Sequence, residues 1–367
     1  MKIGILTYQR AENYGALLQA YALKTYLQCK GHEISFVDYW PKYHVEHYRL
    51  FSIHRFKKMT ISIKVKYLIS LLLWGFPSFL RKYRLTRFMH HELCLDKTIK
   101  YQNDNDSTEK YDVVIYGSDQ IWRRQDIHNN EYNPWYFGSA NIVAAKKITY
   151  AASMGIINPD EKEIGLMTKW LKAFNYLSVR EKDLQLFLHQ IGFESYLVID
   201  PTFLLPKQEW KKLFKSRKEE RYILFYNLLG TEDSIRFANG LSHATGLPIK
   251  EINMRYQLSH VFSKRYISCA SIDRFLQLME GAEYVVSNSF HGVAFSIIFE
   301  KQFWALGIGK KADRVLTLLD ALGIKERYLF CKFDSSILTD LINYDEVRIK
   351  IQKLVSDSQK FLNNSIQ

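Results

Sequence analysis

Cysteine is scarce in this sequence, which contains only Cys29, Cys94, Cys269 and Cys331. The four residues lie far apart and form no CxxC pair, which argues against both a zinc knuckle and a disulfide framework. Low-complexity tracts and internal repeats are missing as well. The content of 47% hydrophobic and 24% charged residues is ordinary for a folded protein, which argues against disorder. We therefore expect a folded protein of a reducing cytoplasm.

The sequence also lacks a long hydrophobic run. Residues 1–15 have neither the apolar core nor the small-residue cleavage site of a signal peptide, and their pattern predicts a first strand. The mostly apolar run YLISLLLWGFPSFL covers residues 67–80, which is shorter than the roughly 18 to 20 residues that cross a bilayer. We therefore expect neither export nor a transmembrane helix.

Positive charge is concentrated around that apolar run. The whole chain carries a net charge of +13, and residues 42–91 contain 11 Lys and Arg residues against one acidic residue, which leaves +10 in this segment (11 − 1). Basic residues beside an apolar, Trp-bearing run favour a helix on an anionic membrane surface, where each cation contributes about 1 kcal/mol. A core helix with solvated ends explains the pattern equally well. We find no nucleic-acid recognition motif and expect no nucleic-acid partner.

Strands and helices alternate through most of the chain. KIGILTY predicts a strand, NYGALLQAYALKTYLQCKGH predicts a helix with Leu17, Leu18 and Leu23 on one face, and EISFVDYW predicts a second strand. Such a β-α-β unit implies parallel strands. A second series begins with RYILFYNL, and 367 residues exceed the usual size of one hydrophobic core. The sequence therefore predicts an α/β protein with two parallel-sheet lobes.

The two predicted lobes define the expected domains. The first covers residues 1–205 and contains the basic and apolar segment 42–91 as an insertion, and the second covers residues 206–345. A helix with a polar pattern follows in residues 346–367, and we expect it to pack back across the first lobe.

Five short motifs follow predicted strands. They are AENYGA, YGSDQIW, AASMG, SVRE and SNSFHG, at residues 11–16, 116–122, 151–155, 178–181 and 287–292. In open parallel sheets, ligands bind beyond the carboxyl ends of the strands, where loops and helix N-termini converge. The motifs therefore predict a binding cleft between the two lobes.

Each motif also has a purely structural interpretation. Asn13 and Gly15 cap and turn the first helix, or they leave backbone N–H groups free for an anion. Asp119 caps a helix, or its carboxylate accepts a proton from a hydroxyl nucleophile. Arg180 pairs with a neighbouring acidic residue on the surface, or its fork of donors binds a carboxylate or phosphate. The position at strand ends favours binding for Asn13, Gly15 and Arg180, while both interpretations of Asp119 stay open.

His291 has the most informative position among these residues. The segment VVSNSFHGVAFSII, residues 285–298, predicts a buried strand, a turn and a helix whose Val293 and Ile297 face the core. His291 therefore lies in the first helical turn, where the helix dipole favours a neutral imidazole and a bound anion would raise the pKa again. A general base needs a neutral imidazole, and we predict a catalytic role for this residue.

The motifs resemble those of a known family. The sequence contains, in order, NYGA, GSDQIW, SVRE, DPTFLL and SNSFHGVAFSIIFEKQFWAL followed by LGI. Together they resemble the polysaccharide pyruvyl transferase family from residue 1 to about residue 325, although segment 42–91 carries no family motif. The resemblance implies two Rossmann-like domains in a GT-B-like arrangement. It also implies transfer of a pyruvyl group from phosphoenolpyruvate to a sugar as a cyclic ketal, with no cofactor and no metal.

The resemblance implies roles for individual residues as well. Arg180 would hold the carboxylate or phosphate of the donor, His291 would transfer a proton at the reacting centre, and Asp119 would act as a base toward the sugar hydroxyl. Many members have an arginine two residues before the histidine, where this sequence has a serine. The candidates for donor binding are Asn13, Gly15, Ser118, Ser289, Lys310, Lys311 and Arg314. The last three compensate for the missing arginine, unless they only form a solvated helix end.

We therefore expect a cytoplasmic pyruvyl transferase, peripheral at the inner face of the cell membrane. Its substrates would be phosphoenolpyruvate and a lipid-linked oligosaccharide destined for capsule or exopolysaccharide. Two alternatives stay open: a GT-B glycosyltransferase that uses a nucleotide-sugar, and a catalytically silent, saccharide-binding scaffold protein, which the serine at position 289 favours. The sequence names neither the acceptor sugar nor an oligomeric state.

Overall fold

The structure is a computed structural model. It describes residues 1–51, 56–57, 59–101, 109–124, 131–217, 220–253, 263–307, 313–329 and 333–367. Strands and helices alternate as the sequence predicts, and the longer strands form two parallel sheets.

The first sheet belongs to the N-terminal half. Its strands are β1 (Lys2–Leu6), β2 (Glu33–Phe36), β3 (Lys110–Tyr116) and β4 (Val143–Thr149), in the order β2-β1-β3-β4. The short parallel strands β5 (Ser178–Val179) and β6 (Tyr196–Leu197) continue it through a bridge between Ala152 and Val179. The helices of this half are α1 (Tyr14–Cys29), α2 (Lys42–His47), α3 (Ile61–His91), α4 (Glu161–Leu171) and α5 (Lys182–Gln190).

The second sheet belongs to the C-terminal half. Its strands are β7 (Ile223–Asn227), β8 (Ile249–Asn253), β9 (Tyr284–Ser287), β10 (Gln302–Leu306) and β11 (Tyr328–Leu329). They pair in the order β11-β10-β9-β7-β8, and every pair is parallel. The helices of this half are α6 (Lys207–Lys211), α7 (Glu232–Thr245), α8 (Ile272–Gly281), α9 (Phe290–Ile298), α10 (Asp313–Leu322) and α11 (Tyr344–Ile366).

Both sheets reverse their strand order at an equivalent point. In the first sheet the second strand lies on one side of β1 and the later strands lie on the other, and the second sheet repeats this pattern around β7. This is a doubly wound order, in which ligands bind where the strand order reverses. The fold is therefore α/β with two Rossmann-like parallel-sheet domains in a GT-B-like arrangement, as the resemblance implies.

Tyr14, in the first turn of α1, ties the two halves together. Its ring stacks on Phe275 of α8 with the ring centroids 4.7 Å apart, and its hydroxyl donates to the carbonyl oxygen of Ala270 at 2.8 Å. One hydrophobic cluster runs from β1 and α1 into α8 and α9. This packing holds the loops that follow the two sheets against each other.

The last helix, α11, returns to the first half. The Ser358 hydroxyl accepts a hydrogen bond from the backbone N–H of Ile199 at 2.9 Å, and the Phe361 ring packs on Tyr196 with centroids 4.9 Å apart. The C-terminal helix therefore packs on β6 and on the residues that directly follow it.

Helix α3 contains the basic and apolar run. It is bent by 54° between Ile61–Ile69 and Leu71–His91. In the part of the chain that the structure describes, no single helix has the length and hydropathy to cross a membrane, although these two bent segments meet those criteria together. Trp74 is buried, but most large apolar residues of the helix are exposed to solvent. The core-helix interpretation of this run is therefore wrong.

Candidate functional site

A cavity of about 270 Å³ opens between the two halves of the molecule. Its walls come from the loops that follow β1, β3, β7 and β9, so it lies where the strand order of both sheets reverses. Its polar wall residues include Asn13, Asp119, Gln120, Arg123, Asn288, Ser289, His291 and Arg314. Of the five predicted motifs, AENYGA, YGSDQIW and SNSFHG reach this wall, whereas AASMG and SVRE do not.

His291 lies in the first turn of α9, as the sequence predicts, and only 7% of the residue is exposed. Its ring lies so close to Gly15 that a Cβ atom on the glycine would be 2.0 Å from Nδ1. Its Nε2 lies 3.9 Å from Oδ2 of Asp200 and has no hydrogen-bond partner among the described residues. Gly15 therefore makes room for the histidine, and it is not among the residues that line the cavity.

The imidazole of His291 is held in its neutral form. Burial lowers the pKa of His291 from 6.5 to about 4; the nearby Asp200 carboxylate opposes this shift, while Arg180 adds to it. The sequence predicted the same direction from the helix dipole, but burial is the larger cause. A negative ligand in the cavity would raise this pKa, because it would stabilise the imidazolium.

Arg180, Ser118 and Asp200 form a buried cluster next to the histidine. The Nη1 group of Arg180 donates to Oδ2 of Asp200 at 2.5 Å and to the Ser118 hydroxyl at 3.1 Å. The Ser118 hydroxyl donates to the same carboxylate oxygen at 3.0 Å. Burial favours a raised pKa for Asp200, but opposing contributions, of which the Arg180 guanidinium is the largest, outweigh it, and the pKa lies below its usual value. The carboxylate therefore stays charged beside His291.

The structure corrects one interpretation of this cluster. Arg180 does not form a surface ion pair, because its side chain is 2% exposed and the Phe290 ring covers its guanidinium at 4.8 Å. Neither Arg180 nor Ser118 lines the cavity, and the Ser118 hydroxyl is buried against Asp200. The Nε and Nη2 groups of Arg180 have no hydrogen-bond partner in the described part of the chain.

Arg314 supplies a cation at the cavity wall. It lies on α10, 4.0 Å from the carboxylate of Glu181, and 5.9 Å separates its guanidinium from the centre of the Phe290 ring. Burial, and then repulsion by Arg180, lower the pKa of Arg314 to about 10. The guanidinium groups of Arg180 and Arg314 therefore lie near the same aromatic ring. Three carboxylates, those of Asp119, Glu181 and Asp200, lie within 4.0 Å of them.

Asp119 and Asn13 also line the cavity. Asp119 has a backbone φ of 73°, accepts a hydrogen bond from the N–H of Gln120, and places Oδ1 3.6 Å from Nη2 of Arg180. No helix begins in described residues 118–124, so the helix-cap interpretation of Asp119 is wrong. Asn13 does cap α1, because its side-chain oxygen accepts the N–H of Gly15 at 2.9 Å, and it lines the cavity as well.

Ser289 occupies the position where many relatives have an arginine. It stands just before α9, makes no side-chain capping bond, and lines the cavity. Among the three candidates for a compensating charge, Arg314 reaches the same cavity. Lys310 and Lys311 lie outside the described residues, as does the predicted start of the following helix; the described helix begins at Asp313.

A second pocket of about 300 Å³ adjoins the first. The two share Asn13, Asp119, Gln120 and Arg123, so they form neighbouring chambers on either side of these residues. The aromatic wall of the second pocket consists of Tyr8, Trp40, His44 and Tyr48. Trp40 stacks on His44 with ring centroids 4.4 Å apart.

The sequence analysis missed the aromatic pocket as well as Asp200, Glu181 and Phe290 as site residues. Two signals were present in the sequence. Asp200 opens the DPTFLL motif directly after a strand, and the stretch DYWPKYHVEHY at residues 38–48 is unusually rich in aromatic rings.

Solved structures with a similar backbone fold share little sequence identity with this protein. The UDP-GlcNAc 2-epimerase from Neisseria meningitidis bound to UDP-GlcNAc is 9% identical with a TM-score of 0.48, over 100% of this chain and 99% of that one. The Methanocaldococcus jannaschii UDP-GlcNAc 2-epimerase in complex with UDP-GlcNAc and UDP is 11% identical with a TM-score of 0.47, over 96% and 93%. The E. coli heptosyltransferase WaaC with ADP is 12% identical with a TM-score of 0.40, over 96% and 100%.

Comparison with curated proteins finds no significant match. Comparison with family models does, and the matched region includes the loop after β1, the buried cluster and the histidine helix. The model for "Polysaccharide pyruvyl transferase" matches residues 13–309, which is most of the chain. The protein therefore belongs to the polysaccharide pyruvyl transferase family.

Proposed function

We propose that this protein transfers the pyruvyl group of phosphoenolpyruvate to a lipid-linked oligosaccharide and forms a cyclic ketal on a terminal sugar. The product would serve capsule or exopolysaccharide synthesis at the inner face of the cell membrane. The observation that carries the proposal is a buried, neutral His291 on the wall of the cavity between the sheets, with Arg314 on the same wall. Family membership supports the same class of reaction.

The charges around the cavity suit a donor with two anionic groups. Phosphoenolpyruvate carries a carboxylate and a phosphate, and guanidinium groups bind both through paired hydrogen bonds. Arg314 contacts the cavity directly and would bind one of these groups on entry. Arg180 lies one side chain deeper, with its Nη2 group 3.6 Å from Asp119, and would reach the donor only after Asp119 or Phe290 shifts.

His291 would move protons at the reacting centre. The bound donor raises its pKa, so that the imidazole can hold a proton close to the enol double bond. Proton addition to C3 leaves a cationic centre at C2, and a sugar hydroxyl forms a bond to it. The C2–O bond to phosphate then breaks, and a second hydroxyl closes the ketal. Of the two hydroxyl protons released, one balances the proton added at C3 and the other leaves with phosphate.

The acceptor would enter from the aromatic pocket. Flat rings beside carboxylate, amide and guanidinium groups match the mixed apolar and hydroxyl surface of a sugar. Asp119 lies between the two pockets and would accept the proton of the attacking hydroxyl. A terminal sugar in the aromatic pocket would thus present a diol to the donor beside His291.

Phosphate release from phosphoenolpyruvate tests this function. Purified protein is mixed with lipid-linked acceptors that end in galactose, mannose or glucose, and His291→Ala is compared with native protein. His189→Ala is the matched control, because that histidine is 73% exposed on α5. We expect acceptor-dependent release that disappears in His291→Ala and persists in His189→Ala.

Two outcomes would contradict the proposal. Saturable binding of a nucleotide-sugar without binding of phosphoenolpyruvate would indicate a glycosyltransferase. Binding of saccharide without turnover of any donor would indicate a scaffold protein, and would assign Ser289 to the loss of catalysis.

A further inference from the structure

Helix α3 turns a stripe of large apolar side chains toward solvent. Leu72, Phe76, Phe79 and Tyr83 are spaced by four, three and four residues, so they lie on one face of the helix. Their exposed fractions are 86%, 73%, 57% and 57%. Large exposed apolar patches are rare on proteins without a partner for them and mark interaction surfaces.

The buried residues of α3 lie on the face opposite to this stripe, so the helix turns its apolar stripe away from the protein. Trp74 and Leu85, on the opposite face, are 7% and 1% exposed and anchor the helix to the protein. Ahead of the bend, Ile61, Val65 and Leu68 repeat the same spacing and are 81%, 51% and 47% exposed. The stripe therefore extends over both segments of α3.

Basic side chains lie at the C-terminal end of this stripe. Arg84 and Arg87 follow Tyr83 within about one turn of the helix, and with Arg274 they line an open cleft of about 810 Å³. Arg87 is exposed and forms no ion pair or hydrogen bond with any residue that the structure describes. Glu92 and Asp273 line the same cleft and leave it with a net positive charge.

We propose that α3 lies flat on an anionic membrane, with the stripe Leu72, Phe76, Phe79 and Tyr83 in the boundary of the acyl chains and Arg87 on a lipid phosphate. Apolar residues on one face of a helix with arginines beside them are the chemistry of interfacial membrane helices. The 11 Lys and Arg residues against one acidic residue in residues 42–91 favour an extended anionic surface as the occupant.

This surface is connected to the site. Lys82, on α3, donates to Glu12 at 2.6 Å and to the backbone oxygen of Tyr48 at 2.8 Å. Glu12 precedes Asn13 at the cavity, and Tyr48 belongs to the aromatic pocket. Membrane contact along α3 would thus place the aromatic pocket next to the lipid surface. The membrane proposal itself does not depend on the reaction that the site catalyses.

Cosedimentation with lipid vesicles tests the proposal that α3 binds an anionic membrane. One vesicle set is pure phosphatidylcholine, and the other contains phosphatidylglycerol as about one third of the lipid. Phe76→Ser/Phe79→Ser is compared with Leu186→Ser/Leu341→Ser, whose residues are 53% and 61% exposed elsewhere on the surface. We expect binding to anionic vesicles that weakens with salt, falls about tenfold for each phenylalanine removed, and is unchanged in the control variant. Arg87→Glu should reduce binding to anionic vesicles and leave the thermal unfolding midpoint unchanged.

Three results would overturn the proposal. Native protein could fail to bind anionic vesicles, or bind equally well without Phe76 and Phe79. Native protein could be a dimer that the double serine variant converts to a monomer, which would make a second copy the occupant of the stripe. Alkaline carbonate could fail to extract the protein from membranes, which would mean that the bent helix inserts across the bilayer.

Discussion

Replacement of Gly15 by alanine is the sharpest test of the site geometry. The added Cβ atom would lie 2.0 Å from Nδ1 and 2.3 Å from Cγ of His291. Ordinary contact begins at 3.4 Å, so the imidazole or the start of α1 must move by about 1.4 Å. His291 and the N-terminus of α1 cannot both keep their positions.

The structure sets the size of the effect. A displacement of about 1 Å at a reacting group costs about 100-fold in rate, so Gly15→Ala should lower turnover by at least that factor. Overpacking in a well-packed region costs about 1–3 kcal/mol of unfolding free energy. When the clashing ring is absent, alanine should instead stabilise α1 by up to about 1 kcal/mol, because glycine is a poor helix former.

The assay is a double-mutant cycle measured by urea unfolding, together with phosphate release. Gly15→Ala should destabilise the native protein but stabilise the His291→Ala variant, so the effect changes sign between the two backgrounds. Gly165→Ala, in the middle of α4, is the matched control, because nothing lies within 4 Å of its Cβ position. The control should keep full activity and gain a little stability.

The reasoning would be refuted by Gly15→Ala protein with native turnover. It would also be refuted if the destabilisation were the same with and without the ring of His291. In either case the histidine does not occupy the space beside Gly15 in solution.

Three further predictions concern charge and acceptor binding. Native protein should lose stability as the pH falls from 6.5 toward about 4, because the unfolded chain then binds a proton that the buried His291 rejects. In urea unfolding, His291→Gln should lose about 3 kcal/mol less unfolding free energy than native protein over this pH range. An identical loss in the two proteins would contradict the burial of the imidazole. Calorimetry with phosphoenolpyruvate should show binding at least about 10-fold weaker in Arg314→Gln than in the surface control Arg236→Gln, since a charge-assisted bond is lost. Trp40→Ala should raise the KM for the acceptor and leave the Kd for phosphoenolpyruvate unchanged; equal changes in both would place Trp40 outside an acceptor pocket.

Much of the fold follows from local patterns in the chain. Apolar β-branched runs predict the buried strands, Asn13 predicts the start of α1, and the β-α-β order implies parallel pairing. The position of His291 in the first turn of α9 follows from the strand, turn and helix pattern around it. These features depend on neighbours within a few residues, so they can be recognised in one sequence.

The partners of the site residues depend on contacts that no local pattern records. Arg180 and Ser118 are 62 residues apart and meet at Asp200, and the Phe290 ring covers the guanidinium from the other half of the molecule. The sequence could therefore place Arg180 at a strand end, but it could not show that this residue is buried behind the cavity.

Sequence and tertiary structure thus determined different properties of this protein. The sequence by itself determined the two parallel α/β lobes, the family, and three of the loops that line the cavity, because strand order and strand ends follow from local hydrophobic periodicity. Only the tertiary structure decided the burial of His291 against Gly15, the chamber of aromatic rings beside it, and the outward direction of the apolar face of α3. The burial of a side chain and the direction of a helix face depend on which surfaces of the two lobes pack together. That packing joins residues that are far apart in the chain.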